Sequence, residues 1–232
     1  MPDGLAERIL RDCRGAVGEV RFGFGSKRQV WAFEDRHQLD AAALAEELAQ
    51  SDPPSFLKLA VTFHDEFAAV TNSWRVRDRI QALMADLSRR ADAELLARMA
   101  DALVDEHLSL RHWLVAAFAA GPPATVFRAF EEAVGRAYLP QDHWALLARL
   151  RLLAEAHGWT LGLDATAVVI ALAQFSTRPE DRMRAIEMLA SFGDPTAGPI
   201  LARAARGDAD ATVRAHAQAQ IGRVSPAKSA LT

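Results

Sequence analysis

A single cysteine, Cys13, stands among 232 residues. That excludes an intramolecular disulfide and any cysteine-cluster zinc site, and it suits a reducing cytoplasm, where we expect the chain to reside. In a helical pattern the Cys13 thiol reads as a small packing group. Lysine is almost as scarce: Lys27, Lys58 and Lys228 are all there is, and arginine supplies the remainder of the 27 basic residues. Neither sign of charge dominates, since 30 acidic residues leave a formal net charge of -3. This argues against a dedicated nucleic-acid binder, which carries a basic surplus to neutralise phosphates. No stretch reaches the roughly 18 uncharged apolar residues that crossing a bilayer requires, so no membrane partner is expected. The most apolar windows, 113–120 and 165–175, are shorter and read as buried helices. The opening Met1-Pro2-Asp3-Gly4-Leu5-Ala6-Glu7-Arg8 lacks the apolar core of a secretory leader. Catalytic signatures are missing too. There is no Gly-x-Ser-x-Gly elbow, and Phe22-Gly23-Phe24-Gly25-Ser26-Lys27 lacks the glycine spacing and the Gly-Lys-Ser/Thr ending of a phosphate loop.

What the chain does have is helix punctuation. Half of its residues are apolar and a quarter charged, enough to bury a core. Ser51-Asp52-Pro53 and Asp194-Pro195 each set a capping side chain before a proline at the first helical position. Asp40, Asn72, Asp164 and Asp210 are further cap candidates. Gly121, Gly158, Gly193 and Gly207 suit the left-handed position that follows a helix. Joined with apolar spacing near 3.6, these marks predict helices over 4–15, 40–50, 54–70, 74–88, 92–105, 109–119, 123–137, 141–157, 165–175, 179–191, 196–205 and 211–222. Short connections imply antiparallel neighbours. The expected fold class is all-α: an α-solenoid-like stack of antiparallel helix pairs. One segment departs from it, because Val20, Phe22 and Phe24 alternate before a turn and Val30-Trp31-Ala32-Phe33, which predicts a small β-hairpin near 19–33. The tail at 225–232 has no periodicity and reads as frayed.

Between Pro179 and Val224 one phrase is written twice. DRMRAIEMLA and VRAHAQAQIG align with Arg182 over Arg214, Ala185 over Ala217, Leu189 over Ile221 and Ala190 over Gly222. A constant offset of this size, about 32 residues, marks stacked helical pairs, none of which can bury its apolar face alone. With the Val-Arg-x-x-Ala-x-x-x-Ile-Gly phrase at 213–222 and the Phe-Gly-Asp-Pro turn at 192–195, residues 178–224 resemble HEAT repeats, armadillo-type α-solenoid units of the short form also found in bilin lyases. The resemblance implies core positions at Val213 and Ile221, a close helix contact at Ala217, and acidic partners between repeats for Arg182 and Arg214. The first copy departs from the pattern at Asp181, which takes the place of Val213. The expected organisation is one continuous domain, with a helical region at 1–176 and two HEAT-like repeats at 177–224.

HEAT-like stacks mostly grip a protein partner on a concave face, and the leading expectation is a non-catalytic protein–protein interaction scaffold or adaptor. No cofactor or metal is expected. A HEAT-like DNA glycosylase or other nucleic-acid-binding module is the alternative, using Trp74 with Arg75, Arg77 and Arg79 for base and phosphate contacts. Tetrapyrrole handling of the bilin-lyase kind is a second alternative, resting only on abundant arginine. The HEAT-repeat di-iron hydroxylases use His-Glu ligand pairs, and this chain has no His-Glu dipeptide. His64-Asp65-Glu66 and Asp105-Glu106-His107 are the densest ligand groupings. Neighbouring residues on a helix point about 100° apart, so neither tripeptide converges on a metal unaided. The candidate partner-binding residues are therefore Trp74, Arg75, Arg77 and Arg79, with Trp144 as a partly exposed aromatic anchor. The repeat assignment predicts that Leu189→Asp and Ile221→Asp each lower unfolding stability by several kcal/mol by burying a charge. Urea denaturation measures this, and unchanged midpoints for both would remove the repeat assignment.

Overall fold

The computed structural model describes residues 17–22, 26–31, 46, 48–50, 53–66, 73–106, 108, 111–137, 143–192 and 196–223. Two strands come first, β1 (Val17–Phe22) and β2 (Ser26–Trp31), paired antiparallel with Val17 opposite Trp31 and Phe22 opposite Ser26. They occupy the region where the aromatic alternation predicts a hairpin. All further elements among the described residues are helical: α1 (Pro53–Glu66), α2 (Ser73–Arg90), α3 (Ala93–Asp105), α4 (His112–Phe118), α5 (Pro123–Arg136), α6 (Trp144–His157), α7 (Leu163–Phe175), α8 (Pro179–Phe192), α9 (Ala197–Gly207) and α10 (Ala211–Ile221). The expected helix at 4–15, the caps at Asp40, Ser51-Asp52, Asn72 and Asp194, and Gly193 lie outside the described residues. The chain divides into two compact units, Met1–Val126 and Phe127–Thr232, and the division falls inside α5.

In the first unit α1 packs on α2 and α3, and α2 packs on α4. Helix α3 starts where Asp92 accepts the Leu95 N–H at 2.8 Å, satisfying one of the free first-turn donors. Leu57, Met84, Leu87, Met99, Leu103, Leu114 and Phe118 are fully buried and form its core. The turn after α4 is fixed by Ser88, whose hydroxyl donates to the Phe118 carbonyl across the α2–α4 contact. Gly121 belongs to that contact. A Cβ built on it would lie 2.6 Å from Ser88 Oγ and 2.8 Å from the Ser88 carbonyl oxygen.

In the second unit the packing follows a two-row rule. Helix α8 touches α6, α7, α9 and α10, α7 touches α9, and α9 touches α10. Helices α6, α8 and α10 thus form one row, and α7 and α9 a second. The Phe127–Arg136 part of α5 is tied to the head of α7, where the Glu131 carboxylate accepts the Gly162 N–H. Leu146, Leu147 and Leu150 of α6, Val169 of α7, Ile186 and Leu189 of α8, Leu201 of α9, and Val213 and Ala217 of α10 fill the space between the rows.

Three expectations are corrected. Ile221 is only half-buried, and its neighbour Gln220 is buried instead. The last turn of α10 is rotated so that an amide rather than the isoleucine faces inward, and Leu189→Asp should therefore cost more than Ile221→Asp. Asp164 lies within the first turn of α7 and does not cap it, since Gly162 holds the cap position and Glu131 supplies the acceptor from far upstream in the chain. Among the described glycines only Gly158, at φ 69°, adopts the left-handed conformation, closing α6 with an N–H to the Ala154 carbonyl. Gly207 ends α9 and Gly121 serves close approach, neither with positive φ. Gly121→Ala is expected to cost roughly 1–3 kcal/mol, because the Ser88 backbone oxygen cannot retreat as a flexible side chain would. A chemical denaturation curve for the variant beside wild type measures the loss.

Candidate functional site

The strongest geometry lies where α8 meets the turn between α9 and α10. Arg182, in the first turn of α8, donates from Nε to Asp208 Oδ2 at 2.9 Å and from Nη2 to Asp208 Oδ1 at 2.8 Å, a bidentate pair. Its Nη1 donates to the Ser176 carbonyl at 2.8 Å. The two side chains are only 12% and 9% exposed, so the pair is held away from most of the solvent. Arg214 makes the same backward contact in the next helix, Nη1 to the Asp208 carbonyl at 2.7 Å and to the Ala209 carbonyl at 3.1 Å. The step from Arg182 to Arg214 equals the step from the Ser176 carbonyl to the Asp208 carbonyl, and both equal the sequence period. Ser176 and Asp208 also share one backbone conformation, at φ -59° and ψ 133° against φ -63° and ψ 140°. Asp208 Oδ1 takes the Asp210 N–H at 2.9 Å, and Asp210 caps α10 by accepting from Thr212 and Val213. Arg182 thus has an acidic partner in the turn between α9 and α10, whereas Arg214 binds backbone carbonyls.

Charge follows geometry. The Arg182 guanidinium holds the Asp208 carboxyl below the ordinary aspartate range against an opposing effect of burial, and Asp208 in turn raises Arg182. The Val213 and Thr212 N–H groups hold Asp210 low as well. On α6, Arg151 is raised by its bond to Glu155 at 2.8 Å and by Glu187 of α8 at 3.1 Å. Each of these shifts favours the charged form. That is the reverse of what proton transfer near neutral pH requires, so these groups bind and fix rather than titrate.

Of the sequence-derived candidates, Trp74, Arg75, Arg77 and Arg79 fall in the first two turns of α2, and their side chains lie outside the described residues. Further along that helix, Asp86 pairs with Arg89 at 3.5 Å and Arg90 at 3.2 Å on an exposed face. Trp144 opens α6 in the other unit and is half-buried, with its indole N–H enclosed and unpaired among the described residues. Arg184 of α8 lies over its ring, the guanidinium carbon 5.8 Å from the centroid. Sequence reasoning missed Arg184, because it lies two helices downstream of Trp144 and no local period links them. Together with the Arg151–Glu187 pair, this makes the α6–α8 face a strip of cations and carboxylates around one aromatic plate.

His64-Asp65 of α1 are absorbed by structure. The His64 ring stacks on Trp113 at 4.3 Å between centroids, and Asp65 accepts Arg111 Nη2 at 2.6 Å. Among the described residues no group of three or more His, Cys, Asp or Glu side chains converges to hold a metal. No helix among the described residues is long and apolar enough to cross a membrane. No protein-family model, curated protein or solved structure matches the chain.

The Asp208 shift carries a pH consequence. A carboxyl held low in the folded state contributes its stability above the unfolded value, near 3.9, and loses it as pH falls through the lower folded value. Asp208→Asn should therefore be less stable than wild type at pH 7, by about 2–4 kcal/mol because the buried Arg182 charge loses its partner. The gap should narrow steadily below about pH 4. Denaturant titrations at pH 7 and in that acid range decide it, and a pH-independent gap would detach the effect from the ion pair.

Proposed function

We propose that this chain is a non-catalytic protein-interaction scaffold built from HEAT-like helical pairs, acting in the cytoplasm. The observation that carries it is the staple made once per sequence period, Arg182 to Ser176 and then Arg214 to Asp208. It supports successive pairs set in the same register, the construction of an α-solenoid. The lone Cys13 favours a reducing compartment. Stacked pairs present a broad face rather than a closed pocket, and the most anchor-like group on the α6–α8 row is Trp144 under Arg184. An aromatic plate with a cation above it and carboxylates beside it is the kind of group that dominates binding energy at protein interfaces.

The test is affinity capture from source-cell lysate with mass spectrometry, with and without nuclease and across a salt series. Wild type is compared with Trp144→Ala combined with Arg184→Glu, and with Arg75→Glu combined with Arg77→Glu. A stoichiometric, nuclease-insensitive protein that is reduced about tenfold or more in the first variant is the expected result. A normal melting temperature for that variant shows that a surface, and not the fold, was lost. Recovery of nucleic acid that falls steeply with salt and is abolished by the α2 variant would replace this reading with the nucleic-acid module.

A further inference from the structure

Helix α7 is apolar on nearly every side. Its sequence, LDATAVVIALAQF, carries one charge, and a helix of that composition is normally covered all round. Its inner side is covered: Ala165, Thr166, Val169, Leu172 and Ala173 are buried. Its outer side is not. Leu163 is 90% exposed, Phe175 is 76% exposed, and Ala167 and Ala171 between them are exposed as well. These four positions are spaced i, i+4, i+8 and i+12, so they follow one inclined ridge that turns about 120° around the helix over about 18 Å.

The fold does not demand this. One period later α9 occupies the same row, and the positions corresponding to Ala167, Ala171, Gln174 and Phe175 are Pro199, Arg203, Arg206 and Gly207. The sister helix thus meets water with two exposed arginines where α7 presents Ala171 and Gln174, and with a glycine where α7 presents Phe175. Neither Arg203 nor Arg206 forms an ion pair among the described residues.

We infer that the outer face of α7, with its α9 border, seats an amphipathic helix of a partner protein whose apolar stripe is flanked by acidic residues. The shape argues for a helix. Two alanines separate Leu163 from Phe175 along the ridge, and small residues let a second helix axis cross closely there with a large apolar side chain on each side of the crossing. A lipid surface would be met by projecting bulky side chains along the whole line, not by alanines at its centre. The charge argues for an acidic flank on the α9 side, where Arg203 and Arg206 form no ion pair among the described residues; the single charge on α7 itself, the exposed Asp164, lies at the far end beside Leu163. This inference rests on the scaffold reading for its need of a protein partner, and it concerns the row opposite the one that carries Trp144.

The probe is a displayed library of helices, each about 20 residues long so as to outspan the stripe, with fixed leucines on one face and flanking positions drawn from Glu, Lys, Gln and Ser. It is panned on the full chain and counter-selected on Ala171→Glu, whose exposed position leaves folding intact and whose melting curve verifies this. Enriched helices should carry glutamate flanks. They should bind wild type at least about tenfold more tightly than Ala171→Glu or Arg203→Glu combined with Arg206→Glu. No enrichment over the counter-selection, or enriched helices without charge preference, overturns the inference. So does flotation of wild type, but not Phe175→Ser, with phosphatidylserine vesicles when no helix is enriched, which would assign the stripe to lipid. A lysate partner captured equally by wild type and Ala171→Glu overturns this site alone and leaves the scaffold reading standing.

Discussion

Arg182 reaches three acceptors at once, both oxygens of Asp208 and the carbonyl of Ser176, so one side chain ties the end of α7, the start of α8 and the turn between α9 and α10. The junction joins three elements that also pack on one another through their apolar faces. Asp208 could not serve it if its own turn were loose. It is held by accepting the Asp210 N–H, while Asp210 accepts two first-turn N–H groups of α10 and Arg214 clamps the Asp208 carbonyl. Such a chain of charge-assisted bonds is worth more when nearly desolvated than on an open surface, because bulk water no longer competes for the donors. It also sets register. Apolar packing between rows tolerates sliding, whereas a planar guanidinium meeting a carboxylate through two bonds does not.

Asp181 shows the opposite situation one residue earlier. Its carboxylate is buried, at 1% exposure, and neither oxygen has a hydrogen-bond partner among the described residues. The nearest cation, Arg178 Nε, stands 3.8 Å away on a side chain that is 70% exposed. In the second copy of the phrase the same position is Val213, fully buried in apolar surroundings. Burying a carboxyl group without bonds is costly, and its place in the first turn of α8 sets Asp181 at the positive end of the helix dipole. The two copies therefore differ in the quality of their cores even while their arginine staples coincide. The stack is held in register by its polar turn contacts as much as by its apolar interior.

Helix positions were legible because they depend on local chemistry. Pro123 and Pro179 stand at the first residue of α5 and α8, and the expected spans 123–137 and 179–191 differ from the observed helices only at their last residue. Asp210 was legible as a cap for the same reason. What the sequence hid were groups whose partners lie far along the chain. Glu131 satisfies the head of α7 from the preceding stretch of α5, which displaced the capping role read for Asp164. Arg184 meets Trp144 although a whole helix, α7, intervenes in the chain. Gln220 rather than Ile221 faces inward because α10 is oriented by its contacts with α8 and α9, and a period of 3.6 cannot resolve a one-residue rotation in the final turn.

The two rows of the second unit also divide their surface chemistry. On the α6–α8 row Arg151 is held by Glu155 and Glu187 and Arg184 stands over Trp144, while the Trp144 indole N–H and the Asp181 carboxyl oxygens have no hydrogen-bond partner among the described residues. On the α7–α9 row apolar side chains lie in water on one helix and arginines without ion pairs among the described residues on the next. Exposing Phe175 forfeits burial worth about 1.5–3 kcal/mol, a cost that α9 avoids with Gly207 at the corresponding position. The 32-residue offset between the two arginine contacts makes that comparison possible within one chain. The two helices thus meet water with different chemistry, an apolar one on α7 and a cationic one on α9.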